Sequence, residues 1–572
     1  MKRLAIPLLV LTAAFHGCGE GGRAHKEIDV GAHADLAAHS AEFAQGVIKV
    51  TEGVHVAVGY GLANSILIEG EDGVIIVDTM ESAEAARPVK AAFSEISSAP
   101  VKAIIYTHNH ADHVFGAGIM AGEDHPDVYS HASTLYYLDR VVNVIRPIIF
   151  KRSMRQFGTL LPEGGVINDG IGPRLIVDAT TTPALIRPNK TFAGDRTTIE
   201  VAGVTLELVH APGETPDQIF VWIPSRKVLL PGDNFYNSFP NLYAIRGTGP
   251  RDTLQWVQSL DKIRALRPEY LVPSHTRPIT GADRIFETLT DYRDAIQFVH
   301  DQTVRAMNQG LTPGEIVERV KLPPHLAGKP YLQEFYGRVD WSVRSIFAGY
   351  LGWFDGNASG LAPLSDHERA VRVVALAGGR EKLIESAGLA AREKDHQWAL
   401  ELSDYALSLD PSDAEARILR GKALRALGES QVSANGRNYY LTQALETEGA
   451  LEIPPLDPSR IPIGQLQAFP VESFMRAMPV NLNAEMSADK NIVVGFRFTD
   501  VDETYTIHVR SGVAEVHPGL PENPDMMVTT EAMIWKQLLS GHRNAAAAIA
   551  TGAVGVDGGR LDLVRFLLLF RP

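Results

Sequence analysis

Cysteine is almost absent from this chain, because Cys18 is the only one among 572 residues. A single thiol excludes an intramolecular disulfide. The absence is informative because Lys2, Arg3 and the apolar run 4–15 resemble an export signal, and exported proteins often carry disulfides. We therefore expect residues 1–22 to be a signal peptide and the mature protein to be periplasmic or secreted. Cys18 lies where a bacterial lipoprotein carries its acylated cysteine, so a lipid anchor at Cys18 and simple cleavage nearby both remain open.

The chain also lacks an excess of positive charge and a long hydrophobic run. Its 54 Lys and Arg are outnumbered by 68 Asp and Glu, which gives a formal net charge of −14. This balance leaves no electrostatic footprint for nucleic acid or for an anionic membrane surface. The run 4–15 is too short to span a bilayer. We therefore expect no nucleic-acid partner and membrane association only through lipidation of Cys18, while an anionic substrate must be attracted by local positive charge.

The length predicts several units, since domains average roughly 150 residues. Strand-like and helix-like segments alternate up to about residue 285, which is typical of an α/β domain. Long amphipathic helices follow, and residues 396–428 resemble one tetratricopeptide-like hairpin. A proline-rich linker then leads to a second, smaller α/β unit. The predicted divisions are a signal peptide (1–22), a lead-in (23–44), a catalytic domain (45–285), a helical domain (286–450) and a C-terminal domain (451–572).

Three histidines and one aspartate are packed into six residues directly after the apolar run 101–106, which predicts a buried strand. They are His108, His110, Asp112 and His113. Imidazole and carboxylate ligands suit zinc. A catalytic zinc normally keeps three protein ligands and one open position, so four candidate ligands indicate two metals. Solvated histidines that serve no metal are the alternative, and the close spacing at a strand end argues against them.

The segment THNHADH at 107–113 resembles the His-x-His-x-Asp-His signature of the metallo-β-lactamase superfamily. That family has an αββα sandwich with a two-metal site along one edge. Residues 210–218, 229–234 and 272–276 resemble the segments that supply its remaining ligands. The resemblance implies two zinc ions, one held by His108, His110 and Glu214, the other by Asp112, His113 and His275, with Asp233 between them.

The alkylsulfatase branch of the superfamily resembles this sequence most specifically. That branch also carries glutamate at the position of Glu214 and an acidic residue nineteen positions later, although usually glutamate where this chain has Asp233. Residues 241–252 resemble its Asn-Leu-Tyr-x-x-Arg-Gly motif, and 343–364 resemble a segment of its helical dimerisation domain. The implied fold class is α/β: an αββα metallo-β-lactamase sandwich, then an all-α, tetratricopeptide-like helical domain, then a small α/β sterol-carrier-like domain. The resemblance also implies a homodimer formed through the helical domain.

The resemblance implies a zinc-dependent alkylsulfatase that hydrolyses alkyl sulfate esters such as dodecyl sulfate by a metal-bound water. Asp112 and Asp233 are candidate acceptors for the proton of that water. Guanidinium groups match a tetrahedral oxyanion, so Arg246 and Arg251 are candidate substrate-binding residues, and Asn241 and Tyr243 are candidate additional donors to the sulfate oxygens. The loop that carries them has no histidine to act as a general acid, which favours C–O over S–O cleavage, with His275 and Tyr243 as remaining proton donors.

Two other functions are open at this stage. Another binuclear-zinc hydrolase would act on esters, lactams or phosphodiesters, but Glu214 and the arginine-bearing loop argue against it. A non-enzymatic lipid-binding or assembly protein would rely on the helical and C-terminal units, but the intact set of ligands argues against it. The aromatic-rich segments 331–341 and 346–354 are expected to form either an alkyl-chain groove or a core and subunit contact.

Overall fold

The computed structural model describes residues 31–177, 181–455 and 457–570, without the side chains of 141–143 and 560. The expected signal peptide and Cys18 lie outside the described residues. Within those residues, no helix combines the length and the apolar character needed to cross a bilayer.

The first part of the chain forms two facing sheets. In the described residues one sheet has the order β1-β2-β3-β4-β5-β6-β7 and the other β13-β12-β11-β10-β9-β8. The strands are β1 Gly46–Thr51, β2 Val54–Val58, β3 Ser65–Glu69, β4 Val74–Val77, β5 Val101–Ile105, β6 Asp127–His131, β7 Lys190–Phe192, β8 Arg196–Val201, β9 Val204–His210, β10 Ile219–Ile223, β11 Val228–Leu230, β12 Tyr270–Leu271 and β13 Ile279–Thr280. Strands β4 to β7 are parallel, and β1 to β4 are antiparallel.

Helices cover both outer faces of this pair of sheets. The helices of this part are α1 Ala34–His39, α2 Ala83–Ser94, α3 Ala111–Val114, α4 Ala117–Ala121, α5 Ser133–Asn143, α6 Arg146–Gln156, α7 Thr253–Ala265 and α8 Ala282–Met307. Several begin at the residues that sequence rules favour. Ser82 caps α2, Asp252 caps α7, and Pro147 lies in the first turn of α6.

The core between the sheets is built from β-branched and aliphatic side chains of both. Ile66, Ile75 and Ile105 from the first sheet pack with Leu208 and Val221 from the second, and all five are fully buried. The outer face of the first sheet packs against α2 and α4, and the outer face of the second packs against α7 and α8. This is the predicted αββα sandwich, which the structure confirms.

The helical part follows α8. Its helices are α9 Pro313–Arg319, α10 Pro324–Ala327, α11 Val339–Leu351, α12 Asp366–Leu376, α13 Arg380–Arg392, α14 His396–Leu409, α15 Ala414–Glu429 and α16 Ala434–Glu448. Helices α14 and α15 form the hairpin predicted at 396–428. The aromatic segment 331–341 lies in the core through Leu332, Tyr336 and Val339, whereas the second aromatic segment ends in exposed side chains.

The C-terminal part is a small α/β unit with its own core. Its strands β14 Asn491–Phe498, β15 Glu503–Arg510, β16 Val513–Pro518, β17 Met526–Thr530 and β18 Val554–Asp557 form a sheet of order β16-β15-β14-β17-β18. Its helices are α17 Ile463–Gln467, α18 Val471–Ala477, α19 Ala484–Ser487, α20 Ala532–Leu539, α21 Ala545–Ala550 and α22 Arg560–Leu568. Phe496, Trp535 and Phe566 are almost completely buried at its centre.

Candidate metal centre

The seven predicted ligands meet at one edge of the sandwich because each follows the end of a strand. His108, His110, Asp112 and His113 follow β5. Glu214, Asp233 and His275 follow β9, β11 and β12 in the second sheet. The two sheets are joined at this edge, since the backbone N–H of Ile219 donates to the carbonyl of Thr107 at 2.8 Å. The edge therefore combines ligands from both sheets.

The ligand atoms of four side chains are spaced close to what a tetrahedral metal ion requires. Ligand atoms about 2.0–2.1 Å from one ion lie roughly 3.3–3.4 Å from one another. His275 Nε2 lies 3.4 Å from Asp112 Oδ2 and 3.3 Å from Asp233 Oδ2. His113 Nε2 lies 3.4 Å from Asp112 Oδ2 and 3.6 Å from Asp233 Oδ2. These four side chains form one compact ligand set.

A second ligand set shares Asp233. His108 Nε2 lies 3.5 Å from Asp233 Oδ2 and 2.9 Å from His110 Nδ1, and His110 Nδ1 lies 3.9 Å from Glu214 Oε1. The residues fall into groups that can each hold a cation, and Asp233 belongs to a group with His108 and also to one with His110 and Glu214. His108 is grouped with His113 and Asp233, and His110 with Glu214 and Asp233, so Asp233 lies between the ligands, while the assignment of each ligand to one ion stays a prediction.

The cluster is buried and leaves ligand atoms without hydrogen-bond partners. The side chains of His108, His113 and His275 are 0% exposed, and that of Asp233 is 2% exposed. His113 Nε2, His275 Nε2 and Asp233 Oδ1 make no hydrogen bond. Because buried polar atoms are normally paired, unpaired atoms that point at one another indicate a cation site. The residues present therefore fit a metal centre.

Without a cation, the carboxylates control the protonation of the histidines. Burial alone would lower the pKa of His113, but Asp233 and Asp112 raise it well above its usual value. Burial alone would also lower the pKa of His275, but the same two carboxylates raise it. In contrast, burial and the charge of His113 lower the pKa of His108 to about 4. Cation binding must therefore displace protons from His113 and His275.

Asp78, which was not among the predicted site residues, orients the ring of His113. Its Oδ2 lies 2.8 Å from His113 Nδ1 and accepts the hydroxyls of Thr107 and Ser274, at 2.8 Å and 2.7 Å. A carboxylate on Nδ1 fixes the ring so that Nε2 faces the site. The sequence contained a signal for this role, because Asp78 directly follows the apolar strand β4, and His108 lies just after the apolar strand β5.

Glu214 is held by two side chains from different parts of the chain. The hydroxyl of Tyr236 donates to Glu214 Oε2 at 3.0 Å, and Arg251 Nη2 lies 3.1 Å from Glu214 Oε1. Burial raises the pKa of Glu214, while the charge of Arg251 opposes that rise. The structure thus places Arg251 against a predicted ligand, although we expected it to bind substrate. No spacing or motif in the sequence indicated Tyr236.

Of the remaining predicted substrate residues, Arg246 borders the ligand cluster, and Asn241 and Tyr243 lie in the same loop. Arg246 Nη2 lies 3.2 Å from His110 Nε2, so its guanidinium borders the ligands. Asn241 is 0% exposed, and neither atom of its amide has a hydrogen-bond partner. The carbonyl of Asn241 accepts from Arg251. Tyr243 is half-buried, and its hydroxyl makes no hydrogen bond with the described residues.

Helix α6 supports this loop through two side chains that were not among the predicted site residues. Gln156 Oε1 accepts from the backbone N–H of Arg246 at 2.8 Å, and Arg152 donates to the carbonyl of Ile245 at 2.5 Å. Arg152 Nε and Gln156 Nε2 are buried and unpaired. The loop is therefore fixed through its backbone, and the guanidinium of Arg246 extends to His110 at the edge of the cluster.

The fold and this ligand cluster define a metal-binding protein of the metallo-β-lactamase class. Three family models match the chain: metallo-beta-lactamase superfamily at 58–275, alkyl sulfatase dimerisation at 312–450 and alkyl sulfatase C-terminal at 462–572.

Individual relatives show to which family within this superfamily the chain is similar. Over 522 residues the chain is 40% identical to a linear primary-alkylsulfatase of Pseudomonas sp. (strain ATCC 19151), covering 88% of this chain and 98% of that protein. It is 29% identical over 542 residues to the alkyl/aryl-sulfatase BDS1 of Saccharomyces cerevisiae, covering 92% and 82%. The structure of the stereoselective inverting sec-alkylsulfatase Pisa1 from Pseudomonas sp. superposes with a TM-score of 0.86 at 27% identity, covering 92% and 85%. The chain belongs to the alkylsulfatase family.

Proposed function

We propose that this protein is a zinc-dependent alkylsulfatase that hydrolyses alkyl sulfate esters to an alcohol and inorganic sulfate. The spacing of 3.3–3.6 Å among the ligand atoms of Asp112, His113, Asp233 and His275 carries the proposal. The names of the family relatives support the substrate class, because they are described as alkylsulfatases. Detergent-like esters such as dodecyl sulfate are the expected substrates.

Two zinc ions would be held by the two ligand sets. His108, His110 and Glu214 would hold one, Asp112, His113 and His275 the other, with Asp233 shared. Bound zinc would supply a hydroxide nucleophile at neutral pH and neutralise negative charge. Asp112 and Asp233 are the candidate proton acceptors, since both face the ligand cluster and Asp233 Oδ1 has no other partner.

The sulfate group would bind between the ligand cluster and residues 241–246. Arg246 supplies a permanently charged guanidinium, which matches a tetrahedral oxyanion. The unpaired amide of Asn241 would donate to a sulfate oxygen and so satisfy a buried donor. Tyr243, with its free hydroxyl, is a further candidate donor. Arg251 would act through Glu214, which it contacts, and through the Asn241 carbonyl.

We propose that the C–O bond is cleaved by attack at carbon. Arg246 and Asn241, two of the groups proposed to face the sulfate, are not acids, and Tyr243 is the one hydroxyl among them, so the site favours departure of sulfate, a weak base, over departure of a basic alkoxide. The relative Pisa1 is described as inverting, and inversion at carbon requires attack at carbon. Hydrolysis in oxygen-18 water should place the label in the alcohol, and label in the sulfate would show S–O cleavage instead.

The function is tested by incubating purified, zinc-loaded protein with dodecyl sulfate and measuring inorganic sulfate. Release of sulfate with two zinc ions per chain by elemental analysis is the expected result. No release from dodecyl sulfate, together with turnover of a lactam, a carboxylic ester or a phosphodiester, would support the alternative binuclear hydrolase.

We also propose a homodimer and export from the cytoplasm. The dimerisation family model covers 312–450, and that region carries exposed Tyr350, Trp353 and Leu376 (58%, 76% and 88%). Light scattering should give twice the chain mass. Export rests on Lys2, Arg3 and the following apolar run, and cell fractionation with mass spectrometry of the mature N-terminus tests it, including lipidation of Cys18.

A further inference from the structure

Exposed large apolar side chains in the described part of residues 31–311 occur in one place. They are Tyr136, Val144, Ile145 and Ile148, which are 60%, 37%, 37% and 52% exposed. All four lie on α5, on α6 or between them. We call the surface formed by Tyr136, Arg140, Val144, Ile145, Ile148 and Lys151 the α5–α6 face. A cluster of exposed apolar side chains on a globular protein marks an interaction site.

The same two helices are basic, although the chain as a whole is acidic. Residues 133–156 contain five Lys or Arg and one acidic residue. The basic residues are Arg140, Arg146, Lys151, Arg152 and Arg155. Arg155 pairs with Glu446, and the one acid, Asp139, pairs with Arg187. In the described residues the other four cations make no salt bridge, but Arg152 donates to the carbonyl of Ile245 and burial lowers the pKa of Arg146. The exposed Arg140 and Lys151 are therefore the cations available to an anion.

Helix α6 connects this face to the substrate side of the metal centre. Ile149, Arg152 and Gln156 lie three and four residues apart and therefore on one side of the helix. Arg152 and Gln156 bind the backbone of Ile245 and Arg246. Ile149 approaches Gly247 of the loop, and the exposed Ile148 is its neighbour on α6, roughly 100° further around the helix.

We propose that the α5–α6 face docks the protein onto aggregates of anionic amphiphiles, namely micelles of the alkyl sulfate itself. The inference rests on the proposed alkylsulfatase function. Tyr136, Ile145 and Ile148 enter the boundary between headgroups and tails, and Arg140 and Lys151 contact the sulfate headgroups. A substrate molecule then has a short path from the aggregate to Arg246.

The charge of the face argues against contact with the same face of a second copy. Such a contact would place Arg140 and Lys151 of both copies close together, which is unfavourable. The dimerisation family model matches a different part of the chain, residues 312–450. An anionic aggregate offers both the negative charge and the apolar surface that the face lacks.

The test is co-sedimentation with phosphatidylcholine vesicles that contain hexadecyl sulfonate, whose C–S bond resists hydrolysis. The wild type should bind these vesicles and not pure phosphatidylcholine vesicles. The double variant Tyr136→Asp/Ile148→Asp should bind about tenfold more weakly or worse, because two side chains no longer enter the apolar layer. The matched control is Val480→Asp/Leu561→Asp, which alters two equally exposed positions, at 59% and 70%, in the C-terminal part. It should bind like the wild type.

A second variant tests the charges alone. Arg140→Glu/Lys151→Glu reverses two exposed side chains and should also weaken binding to the sulfonate vesicles. Both variants should hydrolyse hexyl sulfate, a short substrate kept below its aggregation threshold, at the wild-type rate. Equal vesicle binding by both variants and the wild type would overturn the proposal. So would loss of the dimer in the Tyr136→Asp/Ile148→Asp variant by light scattering, since the face would then be a subunit contact.

The same measurements separate this inference from the proposed function. If vesicle binding follows the expected pattern while no chain releases sulfate from hexyl or dodecyl sulfate, the docking surface stands and the alkylsulfatase proposal fails. If sulfate is released but the wild type does not bind sulfonate vesicles, the function stands and the docking surface is wrong.

Discussion

The metal-ligand cluster and the 241–252 loop lie side by side, but the protein holds them in place by different means. The ligands follow strand ends, and Asp78 fixes His113 from a neighbouring strand end. The loop has no regular structure of its own around Arg246, and it is fixed by Gln156 and Arg152 of α6. A strand end sets a side chain through the sheet, whereas a loop needs contacts from distant parts of the chain. We call the ligand cluster the metal half of the site and the 241–252 loop the loop half. Substitutions in the two halves should therefore have separable effects.

The largest effect is expected from removing a ligand. His108→Ala should lower sulfate release from dodecyl sulfate by about 10³-fold or more, because the metal centre loses charge stabilisation and positioning. Elemental analysis should show less bound zinc. His517→Ala, which changes an exposed histidine of the C-terminal part, is the control. Full activity of His108→Ala would show that the cluster does not hold the catalytic metal.

The next largest effect tests the loop half. Arg246→Ala should lower kcat/KM by about 10²–10³-fold, because a charged donor to the sulfate is lost. Zinc content should stay at the wild-type value, since Arg246 is not a ligand. Arg246→Lys should restore part of the activity, because a lysine keeps the charge but not the forked geometry. Loss of zinc in Arg246→Ala would mean that the two halves are not separable.

Asp78→Asn should have a moderate effect confined to the metal half. The affinity for zinc should fall about 10–100-fold, because the amide no longer orients His113 as a carboxylate does. Competition with a chromophoric chelator measures this affinity, and activity should return at high zinc concentration. Asp72→Asn changes an exposed surface aspartate, whose side chain is 69% exposed, and should leave the affinity unchanged. An activity defect that excess zinc does not repair would contradict the assigned role of Asp78.

The smallest effect on activity is expected at the contact between the sandwich and the helical part, where a substitution changes the pH dependence of stability. Burial raises the pKa of Asp169 to about 8. The folded protein therefore binds a proton that the unfolded chain releases near pH 4, and the free energy of unfolding should fall as pH rises from about 4 to about 8. Asp169→Asn should remove this part of the pH dependence.

The neighbouring amide makes that substitution compatible with the site. Asp169 Oδ1 accepts from Asn438 Nδ2 at 2.9 Å, and Asn438 Oδ1 is buried without a partner. Rotation of the Asn438 amide therefore offers an acceptor to the new side chain. Urea denaturation of both proteins at pH 5 and pH 9 measures the difference. An equal change in stability between the two pH values for variant and wild type would show that Asp169 does not titrate in this range.

The sequence indicated the metal half better than the loop half for a physical reason. His108 to His113 lie within six residues after an apolar strand, so both the ligand types and their placement are local. Asp78 follows the same rule and was within reach of the same reasoning. Tyr236, Arg152 and Gln156 act through contacts with residues tens of positions away, which no local pattern records. The order of the sheets, and the pairing of Arg251 with Glu214, likewise arise only from packing.

Net charge was informative for the whole chain and misleading for one face. The value of −14 argued against attraction to anionic surfaces, and it averages over all charged residues. The basic residues of α5 and α6 are few, and Arg140 and Lys151 become a surface feature because they are exposed and make no salt bridge with the described residues. Local charge therefore has to be read from the structure.

The hydrogen bond from Ile219 to Thr107 joins the two sheets at the edge where the ligands meet. Each proposed zinc ion would take its ligands from both sheets and would therefore cross-link the two sheets of the sandwich. Supply of the metal would then govern how long the protein survives as well as how fast it works. At low zinc concentration the protein would unfold more often and proteases would degrade it faster, so the capacity of the cell to hydrolyse detergent would fall.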